Sequence, residues 1–395
     1  MKNKKKLVIF IGGLNFGGME RVAFIMADLL KDDYDITIAT LYQSNADYTL
    51  KHKTYNLNVS PKEGKINKIL IAVKRLMATK KMKAVLKPDY VFSFGMYSNY
   101  MNALSKKNEK IIMGIRSYDW LTNPFTTFTI DKKIIAKFDS INSVSKLISA
   151  DAEKYWGLKK KDVRVIYNPY EVNLIRKKSL EEVDDFLFDE KAFYYISMGR
   201  LSNQKAYYHL IKAFSLVAQR YDDVRLVIMG NGEHKEQLQE LIALLKIEDK
   251  AFLIGGKLNP YKYVRKSQVY VLSSLTEGFP NALVEAMCVG IPVLSTDCNS
   301  GPREILAPDT DIHSKCEKFE LAKYGVLVPE VTDMRDFVSF DMNVCDRKMA
   351  EGMEYLYSHE DTRNRYVELI QKRVLDFDYD SFKDCIKKEL EKVEV

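Results

Sequence analysis

Residues 273–290 read SSLTEGFPNALVEAMCVG. The apolar run Val269, Tyr270, Val271, Leu272 leads into this stretch and predicts a strand over 268–273. Gly278, Phe279 and Pro280 make a turn, and Asn281 is placed to cap a helix beginning at Ala282. Ala282, Leu283, Ala286 and Met287 recur at helical spacing, so that face should meet a core. A strand that passes through a tight turn into a helix is the building block of a parallel α/β sheet. The start of such a helix presents unsatisfied backbone N–H groups and a positive dipole end, which suits a phosphate. Glu277 closes the turn and Glu285 lies two turns along the helix. Two carboxylates so placed can hold hydroxyl-rich groups beside a phosphate.

Outward from this stretch, short β-rich runs alternate with amphipathic segments through two halves of the chain. The first half has candidate strands at 7–11, 36–41, 90–94, 111–115, 140–144 and 163–166, with helices such as 20–30 and 66–86 between them. The second has candidate strands at 193–198, 225–229, 252–254, 269–272, 292–295 and 326–328. Apolar strands alternating with helices imply parallel sheets covered on both faces, with ligands at the carboxyl ends of the strands. The expected fold class is therefore α/β with two Rossmann-like domains. The expected divisions are an N-terminal domain over 1–169, a second over 170–375, and a last helical segment, 376–395.

At 395 residues, with 46% hydrophobic and 29% charged side chains, the chain is globular and too long for one ordinary core. Its five cysteines have no C-x-x-C spacing, which argues for a reducing cytosol and against a zinc site or a disulfide frame. No run of eighteen apolar residues is present, and the run at 7–11 is too short for a signal peptide. Charge is divided unevenly: residues 1–170 carry a net +15 and the remainder −8. The first half should therefore meet something anionic.

Residues 65–87, KINKILIAVKRLMATKKMKAVLK, hold eight basic residues and no acidic one. Ile66, Ile69, Leu70, Val73, Leu76 and Met77 form one apolar stripe, which a crossover helix would pack on its sheet. The cationic remainder would then face outward and could dock on an anionic membrane surface. Tyr118, Trp120, Phe125 and Phe128 form another candidate contact loop. No helix-turn-helix, zinc finger or RNA-binding aromatic motif accompanies the charge, so no nucleic acid partner is expected.

The spacing of Glu277 and Glu285, followed by Gly290-Ile291-Pro292-Val293, resembles the nucleotide-sugar motif of retaining glycosyltransferases of family 4, which have the GT-B fold. Met198-Gly199-Arg200-Leu201-Ser202-Asn203-Gln204-Lys205 is similar to that family's G-R-L-x-x-x-K element. Gly230-Asn231-Gly232 resembles its next glycine loop, and Gly17-Gly18-Met19-Glu20-Arg21 its first N-terminal loop. The resemblance runs over essentially the whole chain. It implies two domains facing across a cleft, with the last helix crossing back to the first domain.

It also implies roles. Arg200 and Lys205 would bind a diphosphate and stabilise the charge that grows as the sugar leaves. Glu285 would hold ribose hydroxyls. Glu277 would hold the donor sugar, with Gly278 and Phe279 N–H groups assisting and Pro280, Asn281 and Leu283 also binding the donor. Gly230 and Asn231 would lie on the donor, and a uracil-type base would stack near Lys257 and Leu258. Gly17 and Gly18, lacking Cβ atoms, would approach a phosphate or sugar closely. Where many members carry a histidine, this chain has Arg116, a permanent cation that can bind sugar hydroxyls or phosphate but cannot act as a base; a structural salt bridge is the alternative.

No cofactor is expected. The D-x-D at Asp309-Thr310-Asp311 follows Pro308 and reads as a surface turn rather than a metal site. The implied activity is transfer of a hexose or N-acetylhexosamine, from a UDP-sugar above other nucleotide sugars, to a lipid-linked or surface glycan. The implied place is the cytoplasmic face of the plasma membrane. Two rivals are a nucleotide-sugar epimerase of related fold and a catalytically silent partner subunit.

Overall fold

The structure is a computed structural model that describes residues 4–13, 18–42, 52–61, 64–118, 121, 130–158, 163–333 and 335–393. It divides into two compact units. One holds Met1–Pro169 together with Tyr379–Val395, and the other holds Tyr170–Asp378.

The first unit is built on a parallel seven-stranded sheet. Its strands are β1 (Lys6–Ile11), β2 (Asp35–Thr40), β3 (Lys53–Asn56), β4 (Tyr90–Phe94), β5 (Lys110–Ile115), β6 (Ser140–Ser143) and β7 (Val163–Val165), in the order β3-β2-β1-β4-β5-β6-β7. The period-2 alternation of β1 separates two cores. Leu7, Ile9 and Ile11 pack with Val22 and Met26 on one face. Val8 and Phe10 pack with Met82 and Met101 on the other. Phe382, Ile386 and Leu390 of the last helix, Tyr379–Lys392, join the first of these cores. Each such burial is worth roughly 2 kcal/mol. Glu389 on the same helix is fully buried and accepts from Ser140 Oγ.

The helix Lys65–Leu86 corrects the expected packing of residues 65–87. Ile69, Leu70, Val73 and Met77 are 69%, 54%, 51% and 67% exposed, so the expected apolar stripe faces solvent. The helix packs instead through Ile71, Arg75, Thr79, Met82 and Lys83, all buried, with Leu76 half-buried at the margin. Two cations sit on the buried face because each finds partners. Arg75 donates to the Val59 carbonyl at 3.2 Å and lies over the Tyr97 ring. Lys83 Nζ donates to Glu109 Oε1 at 2.6 Å and to the Asn102 carbonyl at 2.9 Å. Apolar spacing alone cannot see a core face made partly of basic residues.

The second unit carries β8 (Phe193–Met198), β9 (Val224–Met229), β10 (Ala251–Leu253), β11 (Val269–Leu272), β12 (Val293–Thr296), β13 (Glu320–Ala322) and β14 (Gly325–Val328). The order is β10-β9-β8-β11-β12-β14-β13, parallel except for the β13–β14 hairpin. Strand order reverses between β8 and β11 here, and between β1 and β4 in the first unit. Loops leaving the carboxyl ends of such neighbouring strands diverge to opposite faces of the sheet and open a crevice for a ligand.

Candidate active site

Arg200, Lys205 and Glu277 lie on the two loops that leave β8 and β11, at the reversal of strand order in the second unit. The two loops are laced together. Leu275 N donates to the Gln204 carbonyl at 2.9 Å, and Gln204 Nε2 donates to the Thr276 carbonyl at 2.8 Å. Ser273 Oγ donates to the Lys205 carbonyl at 2.8 Å. These bonds fix the short turn Asn203–Lys205 against the turn before Gly278, and Lys205 Nζ thereby reaches Glu277 Oε1 at 2.6 Å. Glu277 is 7% exposed, so its charge is stabilised by partners rather than by water. Ser274 Oγ, fully buried, donates to the same Oε1 at 2.6 Å and fixes the carboxylate's orientation.

A third loop braces this pair from the far side. Glu277 N donates to the Asn299 carbonyl at 2.6 Å, and Ser300 N returns a bond to the Glu277 carbonyl at 2.9 Å. Ser300 Oγ donates to the Gly278 carbonyl at 2.7 Å. Gly301 packs so closely that an added Cβ would stand 2.5 Å from Pro280 Cδ. The Gly278 N–H has no hydrogen-bond partner among the described residues.

Arg200, next after Gly199 at the end of β8, is exposed and makes no ion pair among the described residues. It is a cation held at the crevice with its charge uncompensated. The neighbouring glycine loops leave no room for side chains. Gly199 N donates to the Met229 carbonyl and Leu201 N to the Asn231 carbonyl, both at 2.9 Å. A Cβ on Gly230 would stand 1.8 Å from the Gly199 carbonyl oxygen, closer than any non-bonded contact allows. Asn231 Oδ1 accepts from Gly256 N at 3.2 Å and ties in the loop after β10. Leu258 on that loop is fully exposed, while Lys257 turns away to Asp185 at 2.6 Å.

Glu285 lies in the second turn of the helix Asn281–Val289 and is 7% exposed. Two expectations need correction. Asn281 does not cap this helix: its first turn begins one residue earlier, with Pro280 at the cap position and no side-chain cap. Asn281 Oδ1 accepts from Tyr170 Oη at 2.5 Å instead. Leu283 is fully buried, and its N–H already donates to the Pro280 carbonyl, so it supports the loop from within the core rather than lying on a donor. Ser274 and Ser300 are site residues that sequence reasoning missed. Ser274 carried a weak signal, a serine three residues before Glu277. Ser300 stands in the stretch Asp297–Ile305, which resembles a segment of the same family, but only the tertiary path of the loop after β12 brings it to Glu277.

In the first unit, Gly18 begins the helix Gly18–Leu30, and Gly17 lies outside the described residues, as do Trp120, Phe125 and Phe128. Arg116 follows β5. Its Nη1 donates to the Ile166 carbonyl at 3.2 Å and to Asn168 Oδ1 at 3.3 Å, and the guanidinium lies 4.7 Å from the Phe94 ring centroid. Nε and Nη2 are buried with no partner, and no carboxylate pairs with the group among the described residues. Burial pushes its pKa down to about 9. The salt-bridge alternative is therefore replaced by an underused guanidinium at the strand ends.

Asp309 pairs with Lys323 at 2.8 Å, and Asp311 Oδ1 accepts from His313 N, so the D-x-D folds into a turn of its own. No group of three His, Cys, Asp or Glu side chains suited to a metal ion occurs among the described residues.

Residues 179–320 match the family model described as glycosyl transferases group 1. The "uncharacterized glycosyltransferase MJ1059" of Methanocaldococcus jannaschii is 31% identical over 341 residues, covering 79% of this chain and 82% of its own length. The chain belongs to the glycosyltransferases. A second relative of this glycosyltransferase is the N-acetylgalactosamine-N,N'-diacetylbacillosaminyl-diphospho-undecaprenol 4-alpha-N-acetylgalactosaminyltransferase of Campylobacter jejuni. It is 28% identical, with 95% of this chain and 96% of that one covered. The crystal structure of Anabaena Alr3699/HepE in complex with UDP and glucose matches with a TM-score of 0.71 at 15% identity, over 98% of this chain and 99% of that one. The glycosyltransferase thus has the GT-B fold, and Arg200, Lys205, Glu277 and Glu285 all fall within the matched family segment.

Proposed function

We propose that this glycosyltransferase is a retaining, family 4 enzyme that moves a hexose or N-acetylhexosamine from a UDP-sugar to a hydroxyl of a lipid-linked or surface-polysaccharide glycan. The observation that carries the reading is the Lys205–Glu277 pair with uncompensated Arg200 on the adjoining strand end. A diphosphate set against Arg200, Lys205 and the first amides of the helix Asn281–Val289 would meet two cations and a positive dipole end. Those charges would then lie where negative charge develops as the bond from C1 to the phosphate oxygen breaks. They offset it without a metal. Glu277, oriented by Ser274, would hold the sugar hydroxyls, and Glu285 the ribose. The acceptor oxygen bonds to C1 on the face the phosphate leaves, and its proton passes to that phosphate oxygen, so no side chain need act as base. Arg116 would bind sugar hydroxyls or phosphate, the role the family resemblance implies for its position.

The named acceptor of the Campylobacter relative, a diphospho-undecaprenol glycan, supports a lipid-linked acceptor and a peripheral place at the cytoplasmic membrane face. The test is a panel of nucleotide sugars offered with a lipid-linked glycan, read by mass spectrometry and by NMR of the new anomeric centre. The expected result is UDP release with an α-linked product from an α-linked donor. A β-linked product would overturn the retaining assignment. An isomerised nucleotide sugar would favour an epimerase. UDP-sugar binding without turnover would favour a silent partner subunit.

A further inference from the structure

We infer that the helix Lys65–Leu86 lies in the surface of an anionic lipid bilayer and inserts Ile69, Leu70, Val73 and Met77 into it. These four side chains are all more than half exposed. At about 100° per residue they fall on one stripe, opposite the face formed by Ile71, Arg75, Thr79 and Met82. A solvent-facing apolar stripe diametrically opposed to the packed face has no role in holding the sheet. Contiguous exposed apolar surface of this kind marks a contact site.

Charge selects the occupant. No acidic residue occurs from 65 to 87, and Lys68, Lys74, Lys80, Lys81 and Lys87 are all exposed. The apolar stripe occupies the first three turns, and Lys80 and Lys87 continue it toward the C-terminus. A second copy of the chain would set like charges against like, whereas an anionic headgroup layer accepts both the lysines and the stripe between them. Among the described residues no helix is long and apolar enough to cross a membrane. This one sets a narrow apolar stripe among exposed lysines, which is the signature of a helix lying in the interface. The two cations on its packed face, Arg75 and Lys83, are taken up by protein partners and do not compete for lipid.

This deepens the proposed reading by naming the surface that meets the acceptor's membrane, and its measurement does not involve the donor site. The full chain is floated with vesicles of phosphatidylcholine alone and with vesicles that also contain phosphatidylglycerol. Binding is expected only to the latter. Reversing Lys74, Lys80 and Lys81 to Glu should weaken it by at least about fivefold per charge, with the loss greatest at low salt. Ile69→Ser with Val73→Ser and Met77→Ser should abolish the salt-resistant part while UDP-sugar hydrolysis stays unchanged. Val73→Trp should show a blue-shifted emission on the anionic vesicles. No anionic vesicle binding by the unaltered chain, or equal binding by both triple variants, would overturn the inference while leaving the transferase reading intact. A dimer in solution that the serine variant dissolves would assign the stripe to a second copy instead.

Discussion

Lys205→Ala separates what the ion pair contributes to folding from what it contributes to turnover. Glu277 Oε1 has two partners, Lys205 Nζ and Ser274 Oγ, each at 2.6 Å. The side chains of Lys205 and Glu277 are 17% and 8% exposed. Removing one member of a buried pair strands the other charge, at about 3–5 kcal/mol. The partial exposure of Lys205 places this case at the lower end, about 3 kcal/mol. In a unit of this size each kcal/mol moves the melting temperature by about 2–4 °C. The single variant should therefore melt about 6–12 °C lower in the transition of the second unit. Adding Glu277→Gln removes the stranded charge while keeping the Ser274 bond, and should recover all but about 1 kcal/mol. Turnover should fall about 100- to 1000-fold in both, because neither supplies the cation that meets the leaving diphosphate. Scanning calorimetry and initial rates with a UDP-sugar measure the two effects. Equal melting shifts for the single and double variants would refute the pairing argument. Unaltered turnover in Lys205→Ala would remove the lysine from the diphosphate site.

Lys83 makes the first unit's stability pH-dependent. Burial pushes its pKa down to about 8 from 10.5, against the opposing bond from Glu109. Between those values the unfolded chain holds a proton that the folded one lacks, so the contribution of Lys83 to stability grows as pH rises through 8 and is lost as pH falls through it. The stability difference between the unaltered chain and Lys83→Met should rise by up to about 3 kcal/mol from neutral to alkaline pH; a flat difference in denaturant titrations would contradict this. Gly230→Ala should lower UDP affinity at least about tenfold by forcing Gly199 away (roughly 1.4 kcal/mol or more). Gly12→Ala, with nothing within 4 Å of the added carbon, is its control by calorimetric titration.

The sequence made the α/β alternation legible because most strands are buried apolar runs, such as Leu7 to Ile11 and Val269 to Leu272. It did not reveal β3, whose residues Lys53–Asn56 form a polar edge strand with half-exposed side chains. Nor did it reveal β13, a three-residue antiparallel edge that owes its existence to pairing with β14. Glu277, Arg200 and Lys205 were readable as a set only through the family motifs they resemble. Their mutual geometry was not, since it depends on Ser273, Gln204 and Ser300 crossing between loops. The orientation of the helix Lys65–Leu86 was misread for an energetic reason. Buried Arg75 and Lys83 are compensated by contacts from distant segments, which no periodicity in hydrophobic residues encodes.

Because the final helix, Tyr379–Lys392, completes the core around Leu7 and Ile9, the whole of residues 170–378 is an insertion within the first unit. A ribosome delivers the inserted unit complete, while the first still lacks Phe382, Ile386 and Leu390. Nascent chains thus invert the usual N-terminal-first order of assembly. The strands made earliest wait longest with an uncovered apolar face, and a chain that stops before Tyr379 leaves that face open.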